Sequence, residues 1–498
     1  MSEASAEATP GRSPLGPLSL LASRGAIYTA GIVLSRFLSF LLVPLYTRLL
    51  TPEDYGVLEL VDTADNVVVV IFSAAITDSF LRFFNDARSE AERARTTATA
   101  ALSLVVVGCL IGVGGWALAP SLAGPVLRDP SRALLLRWTF AAVGFQSLIE
   151  IPLAVYRGED RPYTYVAAVV GRYAFGLVLN VVFLVVFHLG VRGIVLSSLC
   201  SSALVATLTV GALLRRTGLH FDRALLRRVL RFGWPLIPGA VAMLGLQHSR
   251  SYVLAHYTTL SEVGLWSLGA RFGMMVSLAL GQPLRSAWSA QMYKVWDGEP
   301  ERRSYRRIGT LFVGVFMFAA LGLSAFSPLA IRVMADASYQ RAALVVPAVA
   351  FAFAMREIAD YFRNGLFVAR ATGAIAGVEP AAAVVDLCLG IVLVERFGLY
   401  GAIVTTPVVF FLYLLAMHGA VRRALPVRYE YGRMIALSAL ALAGALLAVL
   451  APGHSLAGGL LRAGAIVLAY PVLAALLIFR EPDERAFLAR LRRRVWRW

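Results

Sequence analysis

Stretches of about 20 apolar residues follow one another along almost the whole chain. Each is long enough to cross a hydrocarbon core of about 30 Å as a helix rising 1.5 Å per residue. Fourteen such runs stand at 26–48, 56–84, 96–119, 132–156, 163–187, 192–214, 230–256, 263–291, 307–327, 341–369, 374–394, 398–418, 433–451 and 460–479. None alternates in the manner of a membrane β-strand, and in lipid a helix satisfies its backbone N–H and C=O groups internally. The pattern predicts an all-α integral membrane protein of about 14 transmembrane helices joined by short turns. The longest connections fall near 215–230, 292–306 and 419–432, and a tail follows at 480–498.

The basic residues fix an orientation. One set of loops holds Arg88, Arg93 and Arg95, then Arg157 and Arg161, then Arg215, Arg216, Arg223, Arg227 and Arg228. The sole lysine, Lys294, continues it with Arg302, Arg303 and Arg306, followed by Arg422, Arg423 and Arg428 and by an arginine-rich tail. The alternate loops are poor in charge, with Arg128, Arg192, Arg332 and Arg396 as typical members. The positive-inside rule puts the first set and both termini in the cytoplasm, which requires an even number of spans. The net charge of +17 is thereby explained by topology, and a nucleic-acid partner is not expected. Charged residues make up only 15% of the chain, against about a quarter in soluble domains, so no sizeable soluble domain is present. Residues 1–24 read as a polar cytoplasmic tail without a cleavable signal peptide. Cys109, Cys200 and Cys388 lie in apolar runs and read as small buried hydrophobic residues; no Cys/His set has metal-ligand spacing.

An internal repeat is also legible. The turn after the first run reads Thr51-Pro52-Glu53-Asp54-Tyr55-Gly56, and the turn after the seventh reads Leu260-Ser261-Glu262-Val263-Gly264. Gly190-Val191-Arg192-Gly193 precedes the sixth run, and Gly398-Leu399-Tyr400-Gly401 precedes the twelfth. Positions 56 and 264, 190 and 398, and 193 and 401 are each 208 apart. Two parallel six-helix lobes follow, related by a pseudo-twofold axis along the membrane normal, with a pathway between them. The expected division is a lobe at 25–216, a cytoplasmic linker at 217–231, a second lobe at 232–420, two further spans at 421–480 and a basic tail at 481–498.

Ionisable residues inside a span are costly and mark interior or wet positions. They concentrate in the first, second, fourth and fifth runs and in the seventh, eighth, tenth and eleventh: Arg36; Asp62, Asp65, Asp78 and Arg82; Glu150; Arg172; His248 and Arg250; Arg271 and Arg285; Arg356, Glu357, Asp360 and Arg363; Glu379 and Asp386. The third and sixth runs of each repeat, and the last two, have almost none. Eight runs are therefore expected to surround a hydrated cavity and six to form its casing. Asp78 and Arg82, and Arg356 and Asp360, are four apart and can pair on one helix. Arg285 can reach the cytoplasmic interface, and His248 can be a hydrogen-bonded interior residue or a proton relay. Arg36, Arg250 and Arg271 have no acidic partner on their own helices. Pro44, Pro235, Pro238 and Pro283 predict bends in the first, seventh and eighth spans.

The chain has no GxxxxGK[ST], HExxH or GxSxG motif, which argues against an ATP-driven pump, a metallohydrolase or a hydrolase with that nucleophile turn. The run Gly25–Leu50 followed by Thr51-Pro52-Glu53-Asp54-Tyr55-Gly56 resembles the start of the Wzx-type polysaccharide-biosynthesis flippases of the MATE-like MOP superfamily. Phe232-Gly233-Trp234-Pro235-Leu236-Ile237-Pro238 with Ser261-Glu262-Val263-Gly264 is similar to the matching start of the second lobe. A more distant likeness is to the MurJ-type lipid II flippases. The resemblance implies a non-enzymatic flippase of the bacterial inner membrane, acting as a monomer without cofactor. Its cargo would be an undecaprenyl-pyrophosphate-linked oligosaccharide, supplied by glycosyltransferases and consumed by a polymerase, with membrane lipids around it and H⁺ or Na⁺ as candidate coupling ions. On that reading Arg36, Arg250 and Arg271 hold the diphosphate, because guanidinium forms bidentate, charge-assisted hydrogen bonds to phosphate. Asp62, Asp65, Glu150, Arg172, His248, Glu357 and Asp360 are candidates for sugar contacts or ion coupling. Span 7 departs from the family in carrying Gln247, His248 and Arg250 where an acidic residue is usual. A MATE-type exporter of drugs or cations is the alternative transporter. Glu53-Asp54 also bears some likeness to the acidic loop of membrane glycosyltransferases that use lipid-linked sugars, but those enzymes carry large outer loops, which this chain lacks.

Overall fold

The computed structural model describes residues 27–478, apart from 29, 32, 36, 235–236, 282, 286–287, 289–298, 370, 426, 428 and 451–455. The side chains of 73–75, 78, 238–240, 242–243, 246–247, 299–305, 372, 456 and 477–478 are also outside the description. Among the described residues every regular element is helical. Eleven helices among the described residues are long and apolar enough to cross a membrane. Three more run beside them: α1 at 27–49, α2 at Pro52–Asp86 and α8 at Ile237–Tyr257. Polar residues in the middle of α2 and α8 set them apart, and several of those residues form the site described below.

The first half continues with α3 at Glu90–Leu127, α4 at Ala133–Gly158, α5 at Pro162–Val181 and α6 at Val191–Thr217. A short helix, α7 at Arg223–Gly233, occupies what the sequence suggested was a plain linker. Asp222 caps it, its Oδ1 accepting from the N–H groups of Ala224 and Leu225 at 2.8 and 3.0 Å. Leu225 and Val229 bury themselves beside Phe80, Phe84 and Leu213. The second half holds α8, α9 at Leu260–Gly273, α10 at Glu299–Met334, α11 at Val345–Val368, α12 at Thr372–Phe397 and α13 at Leu399–Ala424. Two helices, α14 at Tyr431–Leu450 and α15 at Leu456–Ile478, pack outside α10.

The offset of 208 residues recurs in the local geometry. Thr51 caps α2 and Thr259 caps α9, accepting from Asp54 N–H at 3.2 Å and Glu262 N–H at 3.3 Å. Asp54 accepts in return from Thr51 N–H, completing a capping box. Gly190 and Gly398 precede α6 and α13 with nearly the same backbone, φ 57° and 56°, a region other residues adopt only with strain. Helices α2 and α9 cross backbone to backbone. A Cβ on Gly56 would strike the carbonyl oxygen of Leu260, and one on Gly264 would strike that of Pro52. Each contact is the image of the other under the offset, so the pseudo-twofold axis passes between these glycines.

Crossing Gly56 and Gly264 lie at the end of the bundle that carries the arginine-poor turns. Further links between the halves gather there. Thr47 donates to Met334 O at 2.9 Å, Arg48 to Val333 O at 3.2 Å, Tyr339 to Leu50 O at 3.0 Å, and Arg128 reaches Thr258 O. Tyr55 and Tyr339 meet edge to face with centroids 5.8 Å apart. The halves are clamped together at the arginine-poor end.

Helix α1 is interrupted at Leu42, and Pro44 sits in the first turn of the renewed helix Val43–Leu49, as a proline bend requires. The eighth span breaks after Gly273 and passes through a π-helical stretch, Ser277–Gly281, just before Pro283. Pro235 lies outside the described residues. Cys109 and Cys388 are exposed and Cys200 is half-buried, where burial was expected. In lipid an apolar side chain gains little by turning inward, so the apolar character of a run does not predict burial.

Candidate functional site

The polar residues of the spans form four groups. Along α2, Glu59, Asp62 and Asp65 lie about 10, 15 and 20 Å from Pro52 at 1.5 Å per residue. Arg271 reaches across from α9 and donates to Asp62 Oδ2 at 2.8 Å, with Glu59 Oε2 at 3.8 Å. Ser251 on α8 donates to Glu59 Oε1 at 3.0 Å. The guanidinium carbon of Arg271 stands 5.3 Å from the centre of the Tyr55 ring. This clasp joins α2 of the first half to α8 and α9 of the second, directly beneath the Gly56–Gly264 crossing. The Asp62 side chain is 47% exposed and Glu59 only 14%, so Asp62 is the more open end of the clasp and Glu59 the packed one. His248 is half-buried on α8 within electrostatic reach of Asp62, and Asp65 is within electrostatic reach of both Asp62 and Arg172.

A second group is closed. Arg250 on α8 and Asp386 on α12 form a salt bridge with side chains 5% and 6% exposed. Ser249 adds a hydrogen bond to Asp386 at 2.6 Å. The guanidinium lies over Gly390, where any Cβ would collide with it. Arg250 is thus held away from the open space in this conformation.

The third group lies within the second half. Arg285 and Ser277 both bond to Glu357, whose side chain is 1% exposed. Asp360 lies 3.8 Å from Arg285 and 4.0 Å from Arg363, which reaches Glu379 at 3.0 Å. The π-helical stretch brings Ser277 and Gly281 against Glu357, and a side chain at 281 would overlap that carboxylate. Arg285 therefore pairs inside the bundle rather than reaching for the interface. Arg356 does not pair with Asp360 but lies over Phe353 at 5.6 Å. Arg82 likewise stands 3.9 Å from Asp86, while the Asp78 side chain lies outside the described residues.

In the first half, Arg172 on α5 donates to Gln146 on α4 at 3.0 Å and lies over Tyr173 at 5.0 Å. Glu150, one turn beyond Gln146, is half-buried and within electrostatic reach of Tyr165. Tyr46 donates to Asn180 at 3.0 Å. Arg36 lies outside the described residues. The structure thus brings Asp62, Arg271 and His248 together, with Asp65 and Arg172 beside them. It sets Arg250 apart with Asp386, and Glu357 and Asp360 apart with Arg285.

Glu59 is absent from the sequence-based candidates and is central to the clasp. Its spacing of three from Asp62, which places both on one helical face, was the available signal.

A model of the polysaccharide biosynthesis protein family matches residues 21–289, more than half of the chain. The chain belongs to the polysaccharide biosynthesis protein family. No curated protein matches this family member. Among solved structures it is similar to a lipid II flippase MurJ in an inward closed conformation, with TM-score 0.74 and 12% identity over 91% of this chain and 100% of that one. It is also similar to an inward-facing multidrug resistance MATE family transporter of the MOP superfamily, with TM-score 0.64 and 15% identity over 81% and 96% of the two chains. A point mutant of the Vibrio cholerae MATE transporter VcmN aligns with TM-score 0.54 and 16% identity over 82% and 98%. These likenesses establish the fold of this family member: a multi-pass helical membrane protein of MurJ- and MATE-like architecture.

Proposed function

We propose that this polysaccharide biosynthesis protein is a flippase that carries an undecaprenyl-pyrophosphate-linked oligosaccharide from the cytoplasmic to the outer leaflet of a bacterial inner membrane by alternating access. The observation that carries the reading is Arg271. It is a guanidinium on the boundary between the halves, bonded to the carboxylate at the more open end of the clasp. A pyrophosphate cannot enter hydrocarbon unaided, and a guanidinium in a low-dielectric cleft is the side chain suited to hold it. Asp62, Asp65, Arg172 and His248 supply donors and acceptors for sugar hydroxyls, while the polyprenyl chain stays in lipid. Arg36 belongs to the same diphosphate-binding set on this reading, and Arg250 joins it only in a conformation that frees it from Asp386.

The remaining assignments follow the charge map. Both termini and the arginine-rich loops face the cytoplasm, so the clamped, arginine-poor end is the outer gate. Residues 25–216 and 232–420 are the lobes, 217–231 the cytoplasmic linker and 421–480 the added pair of helices. The test is complementation of a deletion strain with Arg36→Ala and Arg271→Ala. Both variants are expected in the membrane at normal level, with surface polysaccharide lost and lipid-linked oligosaccharide accumulating in the inner leaflet. Normal export by both overturns the diphosphate assignment. A deletion that alters drug resistance and leaves the glycan intact favours the exporter reading.

A further inference from the structure

We propose that an apolar trough between α3 and α4, on the lipid-facing flank of the first half, binds one anionic glycerophospholipid from the leaflet at the arginine-poor end. The lipid phosphate sits on Arg137, and one acyl chain runs along the trough.

The trough has a volume of about 580 Å³ and is lined by Gly112, Val113 and Trp116 of α3 and by Ala141, Phe145 and Leu148 of α4. Glycine makes the space. A Cβ on Gly112 would meet nothing within 4 Å, while Gly108 and Gly144 bring the two backbones into contact at the floor. Val113, Trp116 and Phe145 are exposed, so the trough lies on the surface of two helices that cross the membrane. Positions 141, 145 and 148 share one face of α4. Gln146, which accepts from Arg172, and Glu150 lie on another face, turned toward α5. The trough therefore opens to hydrocarbon, away from the polar groups of its own half.

Arg137 supplies the charge. It stands seven residues into the segment Pro130–Gly158, about 10 Å below the arginine-poor end at 1.5 Å per residue. From Arg137 to Leu148 the helix rises about 16 Å, close to half of a hydrocarbon core of about 30 Å. The trough thus spans one leaflet, with the cation at the level of the headgroups. The guanidinium carbon lies 5.4 Å from the centre of the Trp116 ring. Its Nε is shielded from solvent without a hydrogen-bond partner, and no carboxylate pairs with it among the described residues. The acids of the nearest turn, Asp129 and Glu53, are held by Arg132. An arginine in a span without a counter-charge is costly. A phosphodiester removes that cost by accepting charge-assisted hydrogen bonds from the guanidinium. With no free carboxylate beside Arg137 to receive a headgroup ammonium, a net negative headgroup is favoured over a zwitterionic one. A chain seated in the trough restores the dispersion contacts that an unfilled gap forfeits. A second copy docked through the same face would bring another Arg137 in place of a negative charge.

Two native cysteines make the test. Cys109 and Cys388 are both exposed, but Cys109 lines the trough and Cys388 lies on α12 of the other half. Full-length protein, purified in mild detergent and stripped of lipid, is titrated with dioleoyl phosphatidylglycerol. N-ethylmaleimide labelling of each thiol is then followed by peptide mass spectrometry. At about ten times the lipid Kd, the Cys109 rate is expected to fall about tenfold and the Cys388 rate to stay unchanged. Dioleoyl phosphatidylcholine should protect neither. Arg137→Gln should need about tenfold more phosphatidylglycerol for the same protection. Arg341→Gln, which removes an arginine stacked in the same way on Tyr400, should change nothing. In Gly112→Phe the ring enters open space, and the lipid should give Cys109 no further protection. Equal slowing of both thiols, or equal protection by phosphatidylcholine, is ordinary solvation by lipid and overturns the site. So does protection undiminished in Arg137→Gln, and so does protection that follows protein concentration instead of lipid, the mark of a second copy. Protection by undecaprenyl phosphate without protection by phosphatidylglycerol assigns the trough to a polyprenyl lipid and overturns the proposed occupant.

Discussion

Replacing Arg250 by alanine strands Asp386 as a buried anion between α8 and α12. The two side chains are 5% and 6% exposed, so water cannot take the place of the guanidinium without opening the contact. Breaking one partner of such a pair costs about 3–5 kcal/mol, and the remaining Ser249 hydrogen bond places the expected value toward 3 kcal/mol. With an unfolding entropy of about 2.1 cal/mol/K per residue, a chain this long should lose roughly 3 °C in Tm. Removing both charges with Arg250→Met and Asp386→Leu is a different perturbation. Apolar replacement of a whole buried pair is neutral to stabilising by about 1–4 kcal/mol, so the double variant should recover the wild-type Tm. The assay is thermal unfolding of purified protein in one detergent, run as a double-mutant cycle together with glycan export in cells. An unchanged Tm for Arg250→Ala refutes the stranded-charge reasoning, and a double variant as unstable as the single one shows that packing is the cause. Export by the stable double variant assigns Arg250 to structure. Loss of export at full stability returns it to the cargo.

Two other perturbations have definite expectations. Gly56→Leu forces α2 and α9 apart at their backbone crossing, an overpacking cost of about 1–3 kcal/mol charged to the clamped conformation. A membrane-impermeant maleimide should then label Thr258→Cys faster than in a Gly56 background, with the native cysteines replaced by serine; equal rates reject the crossing as part of the gate. The turns preceding α4 and α11 should be insensitive to mild acid. Hydrogen bonds from Ser131 hold the Asp129 carboxyl below the usual carboxylate range, and those from Ser338, its backbone N–H first, do the same for Asp336. A depressed folded value means that the capping contribution is complete above the ordinary carboxylate range and fades only as pH falls through the lower value. Amide exchange at Ser131 and Ser338, corrected for intrinsic rates, should keep the same protection from about pH 8 to 5 and lose it only in stronger acid; loss already near pH 5 contradicts the assignment.

The scaffold was legible in the sequence because membrane insertion writes it there. Span length follows from bilayer thickness, and the glycines at 56, 264, 190, 398, 193 and 401 mark backbone constraints that no other residue meets as cheaply. Charge pairing was not legible, because it is set by contacts between helices. Arg250 and Asp386 are 136 positions apart, and Arg285 and Glu357 are 72 apart. The four-residue rule pointed instead to Arg356 with Asp360, a pairing that tertiary packing replaces with Arg285 and Arg363. Glu59 is hard to read from sequence for a related reason: it stands among Val57, Leu58 and Leu60 near a helix start, and its partners Arg271 and Ser251 are on other helices. The repeat is likewise a property of the backbone alone. The offset maps Glu59 to Ser267 and Arg271 to Thr63, so a symmetric frame holds an asymmetric set of charges.

The crossing of α2 and α9 has a mechanical consequence. Its seal at Gly56 and Gly264 is backbone against backbone, with no long side chain that could stretch to follow a widening gap. Dispersion contacts forfeit a quarter to a half of their attraction within about 1 Å of separation, whereas water needs a gap nearer its own diameter before it can enter and repay the loss. The first ångström of parting is therefore steeply uphill and the remainder comparatively flat. A seam of this kind does not leak in proportion to the force applied to it. If this end is the outer gate, the seam acts as a snap fastener, shut or open, with no graded aperture for ions driven by the membrane potential.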